Sequence, residues 1–104
     1  MQQFDIVENA NLESKRYVPF LFVLQAPLFD ELATRVVAPL IPRKSFGQPM
    51  AHLTPEVSVG GKRYVVSMAE LAGVPISALG PVVDSLVEDR LEIISALDFL
   101  FSGS

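Results

Sequence analysis

Two short runs near the N-terminus, "QFDIVE" and "FLFVLQ", mix apolar and polar positions in strand fashion and are rich in β-favouring residues. They predict two strands separated by the polar loop "NANLESKR". Pro19 stands at the start of the second strand, where a missing N–H donor does least harm. "APLFDELATR" reads as a turn and crossover, and "VVAPLI" after it as a third strand. Pro39 within that strand argues for an edge position or a bulge. "PRKSFGQPMAHLTP" follows as a long loop broken by prolines.

"EVSVGGKRYVVS" is the clearest local signal. Two alternating runs flank Gly60-Gly61, which supply the positive φ angles of a tight hairpin turn. In "LAGVPISALG" the helical character of Met68 to Leu71 is cut by Gly73 and Pro75, so extended chain is expected up to Gly80-Pro81. From Pro81 to Phe101 the spacing is helical, with proline tolerated in the first turn. Val83, Val87, Ile94, Leu97 and Phe101 form one stripe, and Leu86, Ile93 and Leu100 a neighbouring one. Glu88, Asp89, Glu92, Ser95 and Asp98 leave a narrow wet face. Such a helix needs cover on two sides, one from its own sheet and one from a partner. The expected architecture is mainly antiparallel β, a small barrel closed by one C-terminal helix. Neither an internal repeat nor a low-complexity segment interrupts it.

Composition sharpens the demand for a partner. The 104 residues make one expected domain, 1–104, and 50% of them are hydrophobic. The mean hydropathy of +0.40 is hard to hide inside a domain this small, so the surplus predicts an oligomer. The longest uncharged run, Tyr17 to Phe29, is too short to span a bilayer and holds two prolines. Asp5 and Glu8 stand where a secretion signal would need positive charge and an apolar stretch. Together with the absence of cysteine, this points to a cytoplasmic protein without membrane contact.

The net charge is −4, and six of the positive charges come as three pairs, Lys15-Arg16, Arg43-Lys44 and Lys62-Arg63. An acidic chain of this kind disfavours direct nucleic-acid binding. His52 is the lone histidine, in a loop beside Met50 and Leu53, and no nucleophile motif surrounds Ser45, Ser58 or Ser67. Asp30-Glu31 and Glu88-Asp89 are adjacent pairs whose carboxylates diverge, and Gly60-Gly61 precedes a strand rather than a helix N-terminus. No metal-ligand spacing is present either. The expectation is a binding protein with no catalytic residues, no cofactor and no metal. The chain ends "SALDFLFSGS", where Phe99, Leu100 and Phe101 either finish the core or meet a partner.

Several stretches together resemble the CcdB family of toxins. They are "MQQF" at the start, "FVLQAPLFD", "TRVVAPL" with Arg35, Pro39 and Leu40 in register, and "LTPEVSVGGKRY". "LAGVPISALG" is similar to a family element at Ala72, Val74, Pro75, Ser77 and Gly80, and "IISALDFLFSGS" aligns with the last helix and tail. The resemblance implies an SH3-like β-barrel with a C-terminal helix, assembled as a CcdB-like homodimer. It further implies the toxin of a type II toxin–antitoxin system, which binds the DNA gyrase A subunit, traps the gyrase–DNA cleavage complex and is neutralised by a CcdA-like antitoxin.

Carried over by position, the gyrase contact falls on Leu28, Phe29, Asp98, Phe101, Ser102, Gly103 and Ser104. The antitoxin contact falls on the loops Asn9 to Tyr17 and Pro42 to Gln48, with Asn9, Glu13, Lys15, Arg16, Arg43 and Lys44 as its residues. The tail departs from the pattern. The family's toxins typically finish Trp-Gly-Ile, whereas Ser102, Gly103 and Ser104 stand here, and the chain has no tryptophan. The alternative reading is a diverged homologue that dimerises and binds an antitoxin but has weak or no gyrase activity, or another target. A ribonuclease on the same barrel is a third reading, disfavoured by the acidic charge and the single histidine.

Overall fold

The computed structural model describes residues 2–24, 33–47, 54–86 and 90–103. Seven strands, numbered in chain order, form one sheet: β1 Asp5–Asn9, β2 Phe20–Val23, β3 Thr34–Pro42, β4 Glu56–Val59, β5 Lys62–Val66, β6 Ala72–Pro75 and β7 Leu79–Ser85. Among the described residues one α-helix, α1, spans Arg90–Ser102. The strand order is β4-β5-β3-β2-β1-β7, with β6 pairing the other half of β3, and every pairing is antiparallel. The result is a curled half-barrel with one C-terminal helix, as the sequence pattern predicts.

The central strands are apolar on both faces because both faces are covered. Register aligns Ile6, Phe22 and Ala38 across β1, β2 and β3. With Leu40, Val57, Val59, Tyr64 and Val66 they build the main core, which α1 closes with Ile93 and Ala96. Phe4 stacks on Phe22 at 5.7 Å in the same cluster. The opposite face carries a smaller cluster of Val7, Leu21, Val23 and Val37, covered in part by Val18, Val74 and Leu79.

The hairpin turn is formed as expected. Gly60 and Gly61 adopt φ of 59° and 83°, and Val59 pairs with Lys62 to close β4 onto β5. Pro39 differs from expectation. It lies inside β3, a central strand, opposite Leu21 of β2. On its other side β5 pairs only with Leu40 to Pro42, and β6 only with Thr34 to Val37. The missing donor therefore falls in the break between two short neighbours, and the Pro39 carbonyl still accepts from the Ser67 N–H at 3.0 Å. A break in the flanking strands does the work expected of an edge.

The predicted helix from Pro81 is corrected. Leu79–Ser85 is β7, an edge strand on β1, and α-helical structure among the described residues begins at Arg90. Val82 and Val83 are β-branched and stiff at χ1, which favours the pleated conformation. The edge position and the register shifts of the β1–β7 pair also accommodate Pro81. Gly80 is required by close approach, since a Cβ there would lie 3.0 Å from both the Cβ and the carbonyl oxygen of Glu8. Val87 of the predicted stripe and Glu88 and Asp89 of the predicted wet face lie outside the described residues, as does most of the 26–35 crossover.

Candidate binding surfaces

Two surfaces collect the residues singled out by sequence. The first is the end of α1. Ile93 is fully buried and Ala96 nearly so, which fixes the inner face of the helix. Glu92, Ser95 and Asp98 point outward as the wet-face reading expects, but Leu91 is 82% exposed and Phe101 75% exposed. Phe99 and Leu100 are half-buried. The apolar residues at the chain end are thus divided: Phe99 and Leu100 are partly covered and Phe101 stands in solvent.

The helix stops in an ordered way. Gly103 adopts a φ of 76° and donates its N–H to the Phe99 carbonyl at 2.9 Å, a left-handed cap that glycine makes without strain. The Ser102 hydroxyl donates to the Asp98 carbonyl one turn earlier. Asp98, Phe101, Ser102 and Gly103 consequently form one exposed patch on a capped helix end. Leu28, Phe29 and Ser104 of the same carried-over set lie outside the described residues.

The second surface is one end of the sheet. β1 arrives there at Asn9, β3 at Pro42 and β4 at Val59, while β2 leaves from Phe20, β5 from Lys62 and β7 from Leu79. Pairings such as Glu8 with Phe20, Pro42 with Tyr64 and Asn9 with Leu79 hold these ends level. Antiparallel register therefore gathers the loop after β1, the short 3-10 turn Arg43–Ser45 and the β4–β5 hairpin. Lys15-Arg16 and Arg43-Lys44 sit in those connections and Lys62-Arg63 open β5 directly after the hairpin turn, so an acidic protein presents a cationic end.

Within the loop after β1, Asn9 is 3% exposed and is committed to structure. Its Nδ2 donates to the Ser14 hydroxyl and to the Val18 carbonyl, both at 2.9 Å, and its Oδ1 accepts from the Asn11 N–H at 3.0 Å. Asn11 Oδ1 in turn accepts from the Glu13 N–H at 2.9 Å. These bonds turn the loop back on itself and push Glu13, Lys15 and Arg16 outward. Lys15 reaches Glu8 at 3.8 Å, and the Arg16 guanidinium lies 5.6 Å from the centre of the Tyr17 ring. Asn9 is a positioning residue for the loop, while the charged side chains it displays are available for contact.

Arg43 lies 3.5 Å from Glu56, and Lys44 beside it is exposed. They line a groove shared with Pro19, Pro42, Lys62, Arg63 and Tyr64. Sequence reasoning noted Lys62-Arg63 as a charge pair and Pro19 as a strand start, without joining either to Arg43-Lys44. The hairpin register was the available signal. His52 lies outside the described residues. Among the described residues, no group of three His, Cys, Asp or Glu could hold a metal ion, and no helix is long and apolar enough to cross a membrane.

A curled antiparallel half-barrel with one C-terminal helix, offering a helix-end patch and a cationic loop end, belongs to the class of small mainly-β folds. A family model described as "CcdB protein" matches residues 3–103, and the chain belongs to the CcdB family. A solved structure described as the crystal structure of an Mtb toxin is similar in fold, with a TM-score of 0.70 at 18% identity. That alignment covers 92% of this chain and 99% of the other. No curated relative matches the chain.

Proposed function

We propose that the protein is the toxin of a type II toxin–antitoxin pair, acting as a homodimer in the cytoplasm by binding the A subunit of DNA gyrase and trapping its cleavage complex with DNA. The observation that carries this reading is the family match over nearly the whole chain. The fold neighbour, itself described as a toxin, agrees with it. The exposed Phe101 beside Asp98, Ser102 and Gly103 supports a contact surface at the helix end; Leu28, Phe29 and Ser104, the rest of the gyrase set, lie outside the described residues. Action is by contact rather than catalysis, without a cofactor and without direct nucleic-acid binding. A CcdA-like antitoxin neutralises the toxin through Glu13, Lys15, Arg16, Arg43 and Lys44, with Asn9 holding the loop.

One observation favours a second reading, a diverged homologue with weak gyrase activity or another target. Ser102 stands where the family's toxins typically carry a tryptophan. Loss of a tryptophan hot spot costs an interface about 2–4 kcal/mol, or roughly 30- to 1000-fold in affinity. The deciding experiment incubates purified dimer with gyrase, supercoiled plasmid and ATP and scores trapped double-strand breaks. Linear DNA supports the gyrase poison. Its absence with a folded dimer supports the diverged homologue.

A further inference from the structure

A cavity of about 210 Å³ opens over the smaller apolar cluster, where the two neighbours of β3 part at Pro39. β5 pairs with β3 only from Leu40 onward and β6 only up to Val37, so the chain between β5 and β6 leaves the sheet. It makes the 3-10 turn Met68–Glu70 instead, anchored by the Ser67 N–H on the Pro39 carbonyl at 3.0 Å. Met68 is fully buried in the main core, and Glu70 stands exposed at the end of the turn. The gap in the sheet and the turn beside it thus come from the same break.

Val18, Leu21, Val37 and Val74 form the floor, with Pro39 beside them. Ala72 and Ala78 are the walls, and their short side chains leave the space open. The rest of the rim is Asn11 and Ser14 of the β1–β2 loop, which Asn9 holds through its 2.9 Å bond to the Ser14 hydroxyl. That loop is tied to the wall by the Ala10 N–H on the Ala78 carbonyl at 2.9 Å. Among the described residues, Glu70 is the one charged group that lines the cavity, and it makes no ion pair. The cations of the loop end do not line it.

An apolar pocket with one carboxylate at its rim, in a chain of net charge −4, selects a cation that carries an apolar body. The volume lies below the roughly 300–1,000 Å³ of sites for drug-sized ligands, so the occupant is a small molecule. A guanidinium suits the site better than an ammonium. Its planar fork can meet both oxygens of a carboxylate, and its weak hydration lowers the cost of lying beside apolar walls. We propose that this cavity binds a small alkylguanidinium, with the cation on Glu70 and the alkyl body on the Val37, Val74 and Pro39 floor. Neither the gyrase nor the antitoxin reading is needed for it.

The test is an amide-resolved NMR titration of the full chain with n-butylguanidinium, beside butanol and butyrate as neutral and anionic bodies of similar length. Butylguanidinium should give saturable shifts at Asn11, Ser14, Glu70 and Ala72. A dissociation constant on the order of 1 mM is expected for a ligand of about eight non-hydrogen atoms. Binding should weaken as salt rises, butanol should bind at least about twofold more weakly, and butyrate should not bind. Glu70→Gln should weaken butylguanidinium roughly two- to fivefold, the range of an exposed ion pair, and leave butanol unchanged. Ala72→Leu, at an exposed position of β6, fills the cavity and should abolish binding of both. If that variant misfolds, Glu70→Gln still decides, since it removes a surface charge and little else. Shifts confined to other residues overturn the proposal. So does butanol binding as tightly as butylguanidinium, or an affinity that Glu70→Gln leaves unmoved.

Discussion

The side-chain amide of Asn9, at the last position of β1, donates to the Val18 carbonyl at 2.9 Å and so joins the two ends of the loop between β1 and β2. A second bond from the same nitrogen reaches Ser14, and the amide oxygen receives the Asn11 N–H. Three loop groups thus depend on one buried side chain. Replacing it leaves those groups without partners, and a buried polar group left unsatisfied costs about 1–3 kcal/mol. Asn9→Ala is expected to lower the melting temperature by several degrees and to accelerate exchange of the 11–18 amides. Asn9→Asp should be no milder, because a carboxylate keeps the acceptor for Asn11 but loses both donors and faces the Val18 carbonyl. Melting curves with hydrogen exchange check both, and an unchanged exchange rate in the loop would defeat the assignment.

Gly80 makes a comparable prediction for β7. A methyl group would press on Glu8 at 3.0 Å, against backbone as well as side chain. Overpacking costs ~1–3 kcal/mol, while restricting the unfolded chain returns only ~0.4–1 kcal/mol. The first effect wins, so Gly80→Ala should destabilise by about 1 kcal/mol, a drop of roughly 4–8 °C for a domain of this size. Thermal denaturation followed by circular dichroism measures it, and a neutral or stabilising result would mean that β7 sits further from β1.

These two residues also mark the limit of what the sequence reveals. The strands β1, β2, β4 and β5 and the Gly60-Gly61 turn are legible because alternation and positive-φ demands are local. The segment from Pro81 was not, because Val83 and Leu86 happen to fall at helical spacing from Ile94 and Ile93. What decides for strand is long-range pairing of β7 with β1, including the close approach of Gly80 to Glu8. The binding surfaces divide in the same way. Each cation pair is visible along the chain, but only register brings Lys62-Arg63 across from Arg43-Lys44. Asn9 looks like one more polar loop residue until the loop closes over it.

The exposed apolar surface predicts concentration-dependent assembly. In a two-fold dimer any substituted residue at the interface appears twice, so its cost is doubled. Burying Leu91, which is 82% exposed in the single chain, in such an interface and then replacing it should cost at least about 1 kcal/mol per copy, or roughly 30-fold in the dimer constant. The parent protein should sediment as a dimer at micromolar concentration, and Leu91→Glu should shift it towards monomer with its far-ultraviolet spectrum intact. A monomeric parent would refute the dimer outright.

The helix cap lets the tail be tested without disturbing the fold. Ser102 is exposed on the last turn, and the left-handed conformation that ends the helix belongs to Gly103, not to Ser102. A large side chain at 102 therefore meets solvent rather than core, and loss of the bond from the Ser102 hydroxyl to Asp98 should cost no more than about 0.5–1.5 kcal/mol. If the family's gyrase surface is otherwise intact, Ser102→Trp supplies the missing aromatic anchor and should raise gyrase affinity by roughly 30-fold or more. The expected readout is more linear DNA at a given toxin concentration and stronger growth arrest on expression. Phe101→Glu in the same background should cancel the gain, because the anchor works only beside its neighbouring apolar surface. Growth and cleavage that do not respond to Trp at this position would mean that the helix end meets a different target, whatever the family's habit.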